Sequence, residues 1–247
     1  MTQATQTVLI LAARSDIARA LAHVYASHGF NLQLAARNAQ ALHSDAEDLR
    51  IRYTIEVTLH DWDAVDFSSH EHFYNNLQSK PHGVICVAGL LGNQSSAQHI
   101  WSEAQAILEV NYMGLVSQLN AIANDFEQRG NGFIIGISSV AGDRGRQSNY
   151  LYGSAKAGFT AYLSGLRNRL SKRSVQVLTV KPGFVQTSMT QDMDLPAALT
   201  ASPEKVAQVV FKAQQRGKDQ IYTLGIWRYI MLVIRHIPEV IFKRLSL

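Results

Sequence analysis

Residues 8–22 read VLILAARSDIARALA and divide into three parts. The first four are apolar, as in a buried strand, and from Ile17 onward apolar residues recur at helical spacing. Ser15 precedes this helical pattern and has a side chain suited to an N-cap. The stretch therefore predicts a strand, a tight turn and a helix, although the turn of residues 12–18 contains no glycine.

The alternation of strand and helix patterns continues along the chain. Predicted strands occupy residues 8–13, 31–37, 53–59, 83–89, 132–139, 175–183 and 220–224. Predicted helices cover residues 17–28, a segment ending near Arg50, a segment carrying Asn111, and residues 152–170. This alternation is typical of an α/β protein with a doubly wound (Rossmann) parallel sheet, which binds ligands at the carboxyl ends of its strands. We predict one domain over residues 1–247, with a core of about 7–224 and an amphipathic helical tail of about 225–247.

The composition is that of a globular protein, with 47% hydrophobic and 17% charged residues. Cys86 is the single cysteine, which excludes an intramolecular disulfide and favours a reducing, cytoplasmic compartment. The apolar run after the polar N-terminus is too short for a signal peptide. No metal-binding motif is present, and His70-Glu71-His72 is interpreted as a solvated helix start.

The segment ISSVAGDRGRQSNYLYGSAKAG, Ile137 to Gly158, carries the strongest chemical signal. Tyr152 and Lys156 are one helical turn apart, so they share a helix face. A free tyrosine has a pKa of about 10, and a neighbouring lysine ammonium lowers that pKa by favouring the phenolate. Ser139 ends the preceding strand, where its hydroxyl is placed to bind a substrate carbonyl and the tyrosine oxygen. The three residues predict an acid–base site.

These motifs resemble the short-chain dehydrogenase/reductase family, and the resemblance covers about residues 7–187. It implies an NAD(P)-dependent enzyme in which Tyr152 donates the proton and Ser139 polarises the carbonyl. Lys156 would also bind the ribose hydroxyls of the cofactor. Asn111, in the element Asn-Tyr-Met-Gly, would hold a water of the proton relay.

The same resemblance implies further cofactor contacts. The loop PGFVQT, residues 182–187, would lie beside the nicotinamide, whose carboxamide would contact the Val185 backbone and the Thr187 hydroxyl. Asp61-Trp62 would contact the adenine, and Ala88-Gly89 would pass beneath the ribose. The implied set of cofactor-binding residues is Arg14, Ser15, Ile17, Arg37, Asp61, Trp62, Ala88, Gly89, Tyr152, Lys156, Pro182, Gly183, Val185 and Thr187.

The family's three phosphate-loop glycines are replaced by Ala12, Asp16 and Ala18. Alanine forbids only the positive-φ or closest-contact versions of the turn, whereas a carboxylate beside a pyrophosphate is repulsive. We expect the N-terminus of the helix, with Arg14, Ser15 and Ile17, to bind the phosphates while Asp16 turns away. Arg37 follows the second strand, where a cation meets the 2′-phosphate of NADP, so NADP is favoured over NAD.

The tail, the turn and the segment AGLLGNQ (88–94) resemble one subgroup of the family, the decaprenylphosphoryl-2-keto-ribose reductases. The resemblance implies reduction of a 2-keto sugar on a polyprenyl-phosphate carrier, after a flavin-dependent oxidase partner has formed the ketone. The last 31 residues carry +3 of the chain's net charge of +4. Trp227, Ile230, Met231 and Ile234 share one helix face, which we expect to contact a lipid chain or the inner face of the cytoplasmic membrane.

Alternatives remain open at this point. The tail could instead pack on its own domain or on a second copy, and a homo-oligomer is expected. The substrate could be another ketone, such as a 3-oxoacyl thioester, a steroid or a free sugar. A catalytically idle member that regulates a partner is a further alternative, which the complete set Asn111, Ser139, Tyr152 and Lys156 disfavours. Outside the tail no basic and aromatic stripe indicates nucleic-acid binding.

Overall fold

The computed structural model describes residues 6–245, so residues 1–5 and 246–247 of the predicted domain lie outside the described residues. The strands are β1 (Thr7–Leu11), β2 (Asn31–Ala36), β3 (Val57–Asp61), β4 (Gly83–Cys86), β5 (Gly132–Ile137), β6 (Val175–Lys181), β7 (Phe184–Val185), β8 (Thr200–Ala201) and β9 (Gln220–Tyr222). Seven of them form one parallel sheet in the order β3-β2-β1-β4-β5-β6-β9, and β7 pairs with β8. This confirms the predicted single-domain Rossmann fold.

Helices cover both faces of the sheet. They are α1 (Asp16–Ser27), α2 (His43–Tyr53), α3 (His70–Asn75), α4 (Gln94–Ala97), α5 (Trp101–Leu108), α6 (Gly114–Arg129), α7 (Tyr150–Leu170), α8 (Pro203–Gln215), α9 (Ile226–His236) and α10 (Glu239–Phe242). Successive side chains of a strand point to opposite faces. Val8 and Ile10 therefore pack with α1, α2 and α8, whereas Leu9 and Leu11 pack with α3, α6 and α7. Two apolar cores thus hold the carboxyl ends of the strands in place.

Two sequence interpretations need correction. The third strand begins at Val57 rather than at Tyr53, because α2 continues to Tyr53 and Thr54 then takes a left-handed conformation with φ 55°. His70 does begin a helix but is not solvated. It is 1% exposed, stacks on Trp62, and contacts the Ser117 hydroxyl and the Asp63 carbonyl through its two ring nitrogens.

The turn after β1 keeps the geometry of a glycine turn without the glycine. Ala12 has φ +63°, so the positive-φ conformation that alanine was expected to forbid is the one the chain adopts. The turn is held by hydrogen bonds from the Ser15 N–H to the Ala12 carbonyl and from the Ala13 N–H to the Ala35 carbonyl. A left-handed alanine costs about 1–2 kcal/mol relative to its ordinary conformations. The surrounding contacts hold the turn despite that cost.

We expect Ala12→Gly to raise the free energy of unfolding by about 1 kcal/mol, because glycine adopts this φ without strain and loses only part of the gain to its freer unfolded chain. Urea unfolding of the cofactor-free protein measures it. Ala18→Gly is the matched control: Ala18 lies inside α1, where glycine lowers stability by about 0.5–1 kcal/mol. An equal decrease in the free energy of unfolding of both variants would contradict the inference that Ala12 is strained.

Candidate active site

A cleft of about 580 Å³ opens at the carboxyl ends of the strands. Fourteen of the predicted site residues line it: Arg14, Ser15, Ile17, Arg37, Trp62, Ala88, Gly89, Ser139, Tyr152, Lys156, Pro182, Gly183, Val185 and Thr187. Asp61, which is exposed, and Asn111, which is buried, are not among the lining residues. Sequence positions up to 173 residues apart therefore meet in one site, because every crossover of the parallel sheet returns the chain to the same edge.

Tyr152 and Ser139 are directly paired. A hydrogen bond from Ser139 favours the Tyr152 phenolate, but burial outweighs it and raises the pKa of Tyr152 to about 12. The sequence predicted a lowered pKa for Tyr152, which is wrong for the cofactor-free site. The reason is that the ammonium lies 5.7 Å from the centre of the tyrosine ring and burial has the larger effect. At neutral pH the phenol is therefore protonated, as a proton donor must be.

Lys156 is buried, with 2% of its surface exposed. Its Nζ donates to the carbonyls of Ala88 and Ile137, both at 3.2 Å, so the ammonium bridges the ends of β4 and β5. Burial lowers the pKa of Lys156 to about 7. This places a titrating cation at the floor of the cleft beside Tyr152.

Asn111 lies in a π-helical turn, Glu109–Met113, between α5 and α6. The wider turn lets Nδ2 donate to the carbonyls of Ile107 and Leu90, both at 2.7 Å, while Oδ1 accepts from the Leu90 N–H at 3.2 Å. Asn111 thus fixes the loop that follows β4. The sequence placed Asn111 in a helix but carried no signal for the π turn. Its water-holding role stays a prediction.

Asp16 has a partner that the sequence did not indicate. Its Oδ2 accepts from the Ser188 N–H at 2.7 Å and from the Ser188 hydroxyl at 2.9 Å. The carboxylate therefore joins the turn after β1 to the loop after β7, at the edge of the cleft. Ser15 is the N-cap of α1 and accepts from the Ala18 N–H at 3.2 Å, as predicted for a helix start there.

Two cations border the far end of the cleft. Arg37 follows β2, and Arg14 Nη1 donates to the Arg37 carbonyl at 3.4 Å. Asp61 accepts from the Ala39 N–H at 2.8 Å and so holds the turn that follows Arg37. Trp62 lines the cleft, with its Nε1 donating to Gln118 at 2.8 Å. The predicted adenine contacts of Asp61 and Trp62 stay predictions.

The loop after β6 is held from behind by the tail. A Cβ on Gly183 would lie 1.9 Å from Trp227 Nε1, so the indole packs directly on the backbone of this loop. Trp227 Nε1 donates to the Leu199 carbonyl at 3.0 Å, and the Pro182 carbonyl accepts from the Val140 N–H at 2.9 Å. A sequence pattern could not reveal this contact, since the two segments are 44 residues apart.

The cleft fits a dinucleotide. First-turn N–H groups of a helix lack intrahelical partners, and the N-terminus of α1 lines the cleft through Ser15, Asp16 and Ile17. A Cβ on Gly89 would lie 3.5 Å from Asn111 Oδ1 and 3.6 Å from Lys156 Nζ, so the backbone of the loop after β4 passes close to both groups. Within residues 6–245, no group of three or more His, Cys, Asp and Glu side chains could hold a metal ion.

Comparisons with known proteins show the family of the chain. The family model described as short chain dehydrogenase matches residues 6–197. An uncharacterized oxidoreductase of Mycobacterium tuberculosis is 36% identical over 242 residues, covering 96% of each chain. An uncharacterized oxidoreductase of Streptomyces coelicolor is 30% identical over 243 residues, covering 97% of this chain and 96% of that one.

A solved structure shares the fold. The short-chain dehydrogenase from Sphingobium yanoikuyae in complex with NADPH superposes with a TM-score of 0.81 at 22% identity, covering 95% of this chain and 97% of that one. The family match spans most of the chain and includes Ser139, Tyr152 and Lys156. The chain belongs to the short-chain dehydrogenase family and is an NAD(P)-dependent oxidoreductase.

Proposed function

We propose that the chain reduces the 2-ketone of a sugar carried on a polyprenyl phosphate. In this proposal a flavin-dependent oxidase forms the ketone and this chain delivers hydride to its other face, so that the pair epimerises C2. The observation that carries the proposal is the outer surface of α9 and α10, an apolar face with cations around it. It belongs to the tail whose Trp227 packs on Gly183, a residue that lines the cleft.

The inner face of α9 is structural. Trp227 and Met231 are buried, and Ile230 and Ile234 pack beside them in a cluster with Val140 and neighbouring apolar residues. The face that the sequence analysis assigned to lipid therefore packs on its own domain, which was the alternative left open. This apolar packing holds α9 against the rest of the domain, although the outer surface of the helix carries cations.

The outer face of the tail remains apolar and exposed. Its members, with their exposed fractions, are Ile226 49%, Tyr229 67%, Leu232 56%, Val233 66%, Val240 66% and Ile241 53%. Exposed cations lie around them at Arg228, Arg235, Lys243 and Arg244. An amphipathic surface of this kind suits an anionic membrane, with apolar side chains in the acyl boundary and cations at the headgroups. No helix within residues 6–245 has the length and apolar character needed to cross a bilayer.

The catalytic residues divide the reaction between them. Ser139 binds the ketone oxygen, and Tyr152, protonated because of its burial, donates a proton to that oxygen as it becomes an alcohol. Lys156 binds the ribose hydroxyls and holds positive charge at the floor of the cleft. When bound, the reduced nicotinamide supplies the hydride.

We further propose that NADPH is the preferred coenzyme, because Arg37 follows β2, the position from which a cation would meet a 2′-phosphate in this fold, and Arg14 donates to its carbonyl. We expect Arg37→Ala to weaken NADPH binding about 10- to 100-fold and to change NADH binding little, since a charged hydrogen bond to the 2′-phosphate is lost. Fluorescence titration with both coenzymes measures it. The control is Arg173→Ala, an exposed cation elsewhere. If Arg37→Ala weakened the binding of NADPH and NADH equally, the proposed preference for NADPH would be refuted.

The tail proposal has its own test. Deleting the tail would expose the Trp227 packing site, so we choose the double variant Leu232→Ser, Val233→Ser on the outer face, with Ile51→Ser, 80% exposed on α2, as control. We expect kcat/KM to fall about 10-fold or more on a long-chain 2-keto sugar phosphate and to stay unchanged on a short-chain one. Binding energy remote from the ketone contributes to kcat/KM, at about 0.8 kcal/mol per buried CH₂.

Sedimentation with vesicles of anionic phospholipid completes the test. The wild-type chain and Ile51→Ser should sediment with the vesicles, and the double variant should stay in the supernatant. Equal losses on both substrates, together with a changed oligomeric state by size exclusion, would assign the outer face to contact between copies of the chain. That result would overturn the membrane part of the proposal.

A further inference from the structure

Arg146 lies in the loop before α7 and lines the same cleft as Ser139 and Tyr152. Its Nε is buried without a hydrogen-bond partner, and its Nη2 contacts Met231 Sδ, a weak acceptor, at 3.2 Å. None of the carboxylates between residues 6 and 245 forms an ion pair with it. A guanidinium in a cleft without an anion is a costly arrangement that a ligand would relieve.

Asp143, the carboxylate whose charge acts on Arg146, is hydrogen-bonded to other groups. Asp143 accepts from Lys181 Nζ at 2.5 Å and from the Tyr222 hydroxyl at 2.7 Å, so both of its oxygens are occupied. Burial lowers the pKa of Arg146, and the negative charge of Asp143 opposes that shift. Since Asp143 is paired with Lys181, the guanidinium of Arg146 has no anion of its own among the described residues to balance its charge.

Arg144, two residues earlier in the same loop, has hydrogen-bond partners and an ion pair, in contrast to Arg146. Its Nη1 donates to the carbonyls of Arg235 and Ile237 at 3.0 and 2.9 Å, and its Nη2 forms an ion pair with Glu239 at 2.7 Å. Arg144 thereby ties the loop to the end of α9. The loop is held in place by one arginine, while the other lines the cleft and has a buried Nε without a hydrogen-bond partner in the described part of the chain.

Asn149 adds a second unsatisfied group on the same wall. It lies at the start of α7, lines the cleft, and its Oδ1 is buried without a partner. A buried oxygen of this kind accepts a hydrogen bond from a hydroxyl. Two residues that line the cleft thus carry, within residues 6–245, a guanidinium without a carboxylate partner and an amide oxygen without a donor, a combination that suits an anionic ester of a polyhydroxyl compound.

We propose that Arg146 binds the phosphate of the substrate, with Asn149 accepting from a sugar hydroxyl. The inference rests on the proposed function and names how the phosphoryl group is recognised. In a 1-phosphoryl 2-keto sugar the phosphate is joined to the carbon beside the ketone, so a ketone at Tyr152 keeps its anion within the same cleft, which Arg146 also lines. Arg146 contacts Met231 of α9, so the lipid chain leaves the phosphate toward the tail.

The test uses farnesyl phosphate and farnesol as probes, with binding measured by calorimetry on the full chain in the presence of oxidised coenzyme. We expect Arg146→Gln to weaken farnesyl phosphate binding about 10- to 100-fold and to leave farnesol binding unchanged, because only the charged hydrogen bond is lost. Arg146→Lys, which keeps the charge, should retain part of the affinity. Arg216→Gln, which removes an exposed charge at the end of α8, is the matched control and should bind as wild type.

Thermal unfolding and coenzyme titration accompany each variant, and Arg146→Lys provides the comparison if Arg146→Gln does not fold. Equal farnesyl phosphate affinity in Arg146→Gln and wild type, or no binding by wild type, would overturn the inference. Turnover of a farnesyl-phosphoryl 2-keto pentose separates the two proposals. Turnover that is insensitive to Arg146→Gln leaves the proposed function standing without this site. Arg146-dependent binding without turnover leaves the phosphate site and overturns the proposed function.

Discussion

Tyr152→Phe should abolish ketone reduction, with a loss of turnover of about 10²- to 10⁴-fold or more, while the fold and coenzyme affinity stay near those of the wild type. The phenol is the group that carries the proton, and the ring alone packs against the cluster of Ala97, Ala104 and Ile107. Steady-state reduction of a ketone by NADPH measures the loss. Coenzyme fluorescence titration shows that the cleft is intact.

The chain offers a matched control two residues away. Tyr150 begins α7 and is 42% exposed, and its hydroxyl donates to Gln98 at 3.3 Å outside the cleft. Tyr150→Phe should therefore reduce ketones at the wild-type rate. A Tyr152→Phe enzyme that retains wild-type turnover would remove Tyr152 from the mechanism.

The pH dependence of ketone reduction follows from the protonation state of Tyr152. Burial raises the pKa of Tyr152 to about 12 in the cofactor-free chain, so the acid form is populated through neutrality. Ketone reduction, which consumes that proton, has the donor available from pH 6 to 9. Lys156 is the neighbouring group that changes charge in this range, since the pKa of its ammonium is lowered to about 7.

Sequence patterns reveal what repeats along the chain. The continuous apolar run from Val8 to Leu11 predicts a strand covered on both faces. The spacing of Ser139, Tyr152 and Lys156 predicts their convergence at one strand end. These inferences depend only on periodicity and on the rule that parallel strands share a ligand-binding edge. They required no knowledge of distant contacts.

Several features that sequence reasoning missed depend on contacts with other parts of the fold. Alanine at position 12 tolerates φ +63° because the turn around it is held by other hydrogen bonds. His70 is buried because Trp62 and Ser117 enclose it. The inner face of α9 was assigned to lipid because a helical wheel identifies an apolar face but not its partner. The sequence does not show which charged side chains pair either. Arg144 and Arg146 are therefore indistinguishable in the sequence, and only the structure shows that Glu239 pairs with Arg144.

The second large effect is expected at Lys156, where activity and stability oppose each other. Lys156→Met should lower turnover at least about 10²-fold, because the variant loses both the ribose contact and the charge beside Tyr152. The same substitution removes a buried ammonium. Methionine fills nearly the same space, so the apolar packing is kept while the carbonyls of Ala88 and Ile137 lose a donor. Lys172→Met, at an exposed lysine after α7, is the control for the loss of one charge.

The pH dependence of stability distinguishes the buried lysine from an ordinary one. The pKa of Lys156 is about 7 in the folded chain and near 10.5 when unfolded, so between these values the unfolded chain holds a proton that the folded chain has released. Stability then rises with pH by up to about 1.4 kcal/mol per unit. Relative to Lys156→Met, the wild-type free energy of unfolding should increase by about 2 kcal/mol from pH 7 to pH 9. Urea titrations of the cofactor-free proteins measure this difference, and parallel curves for wild type and Lys156→Met would show that the ammonium is not desolvated in the folded state.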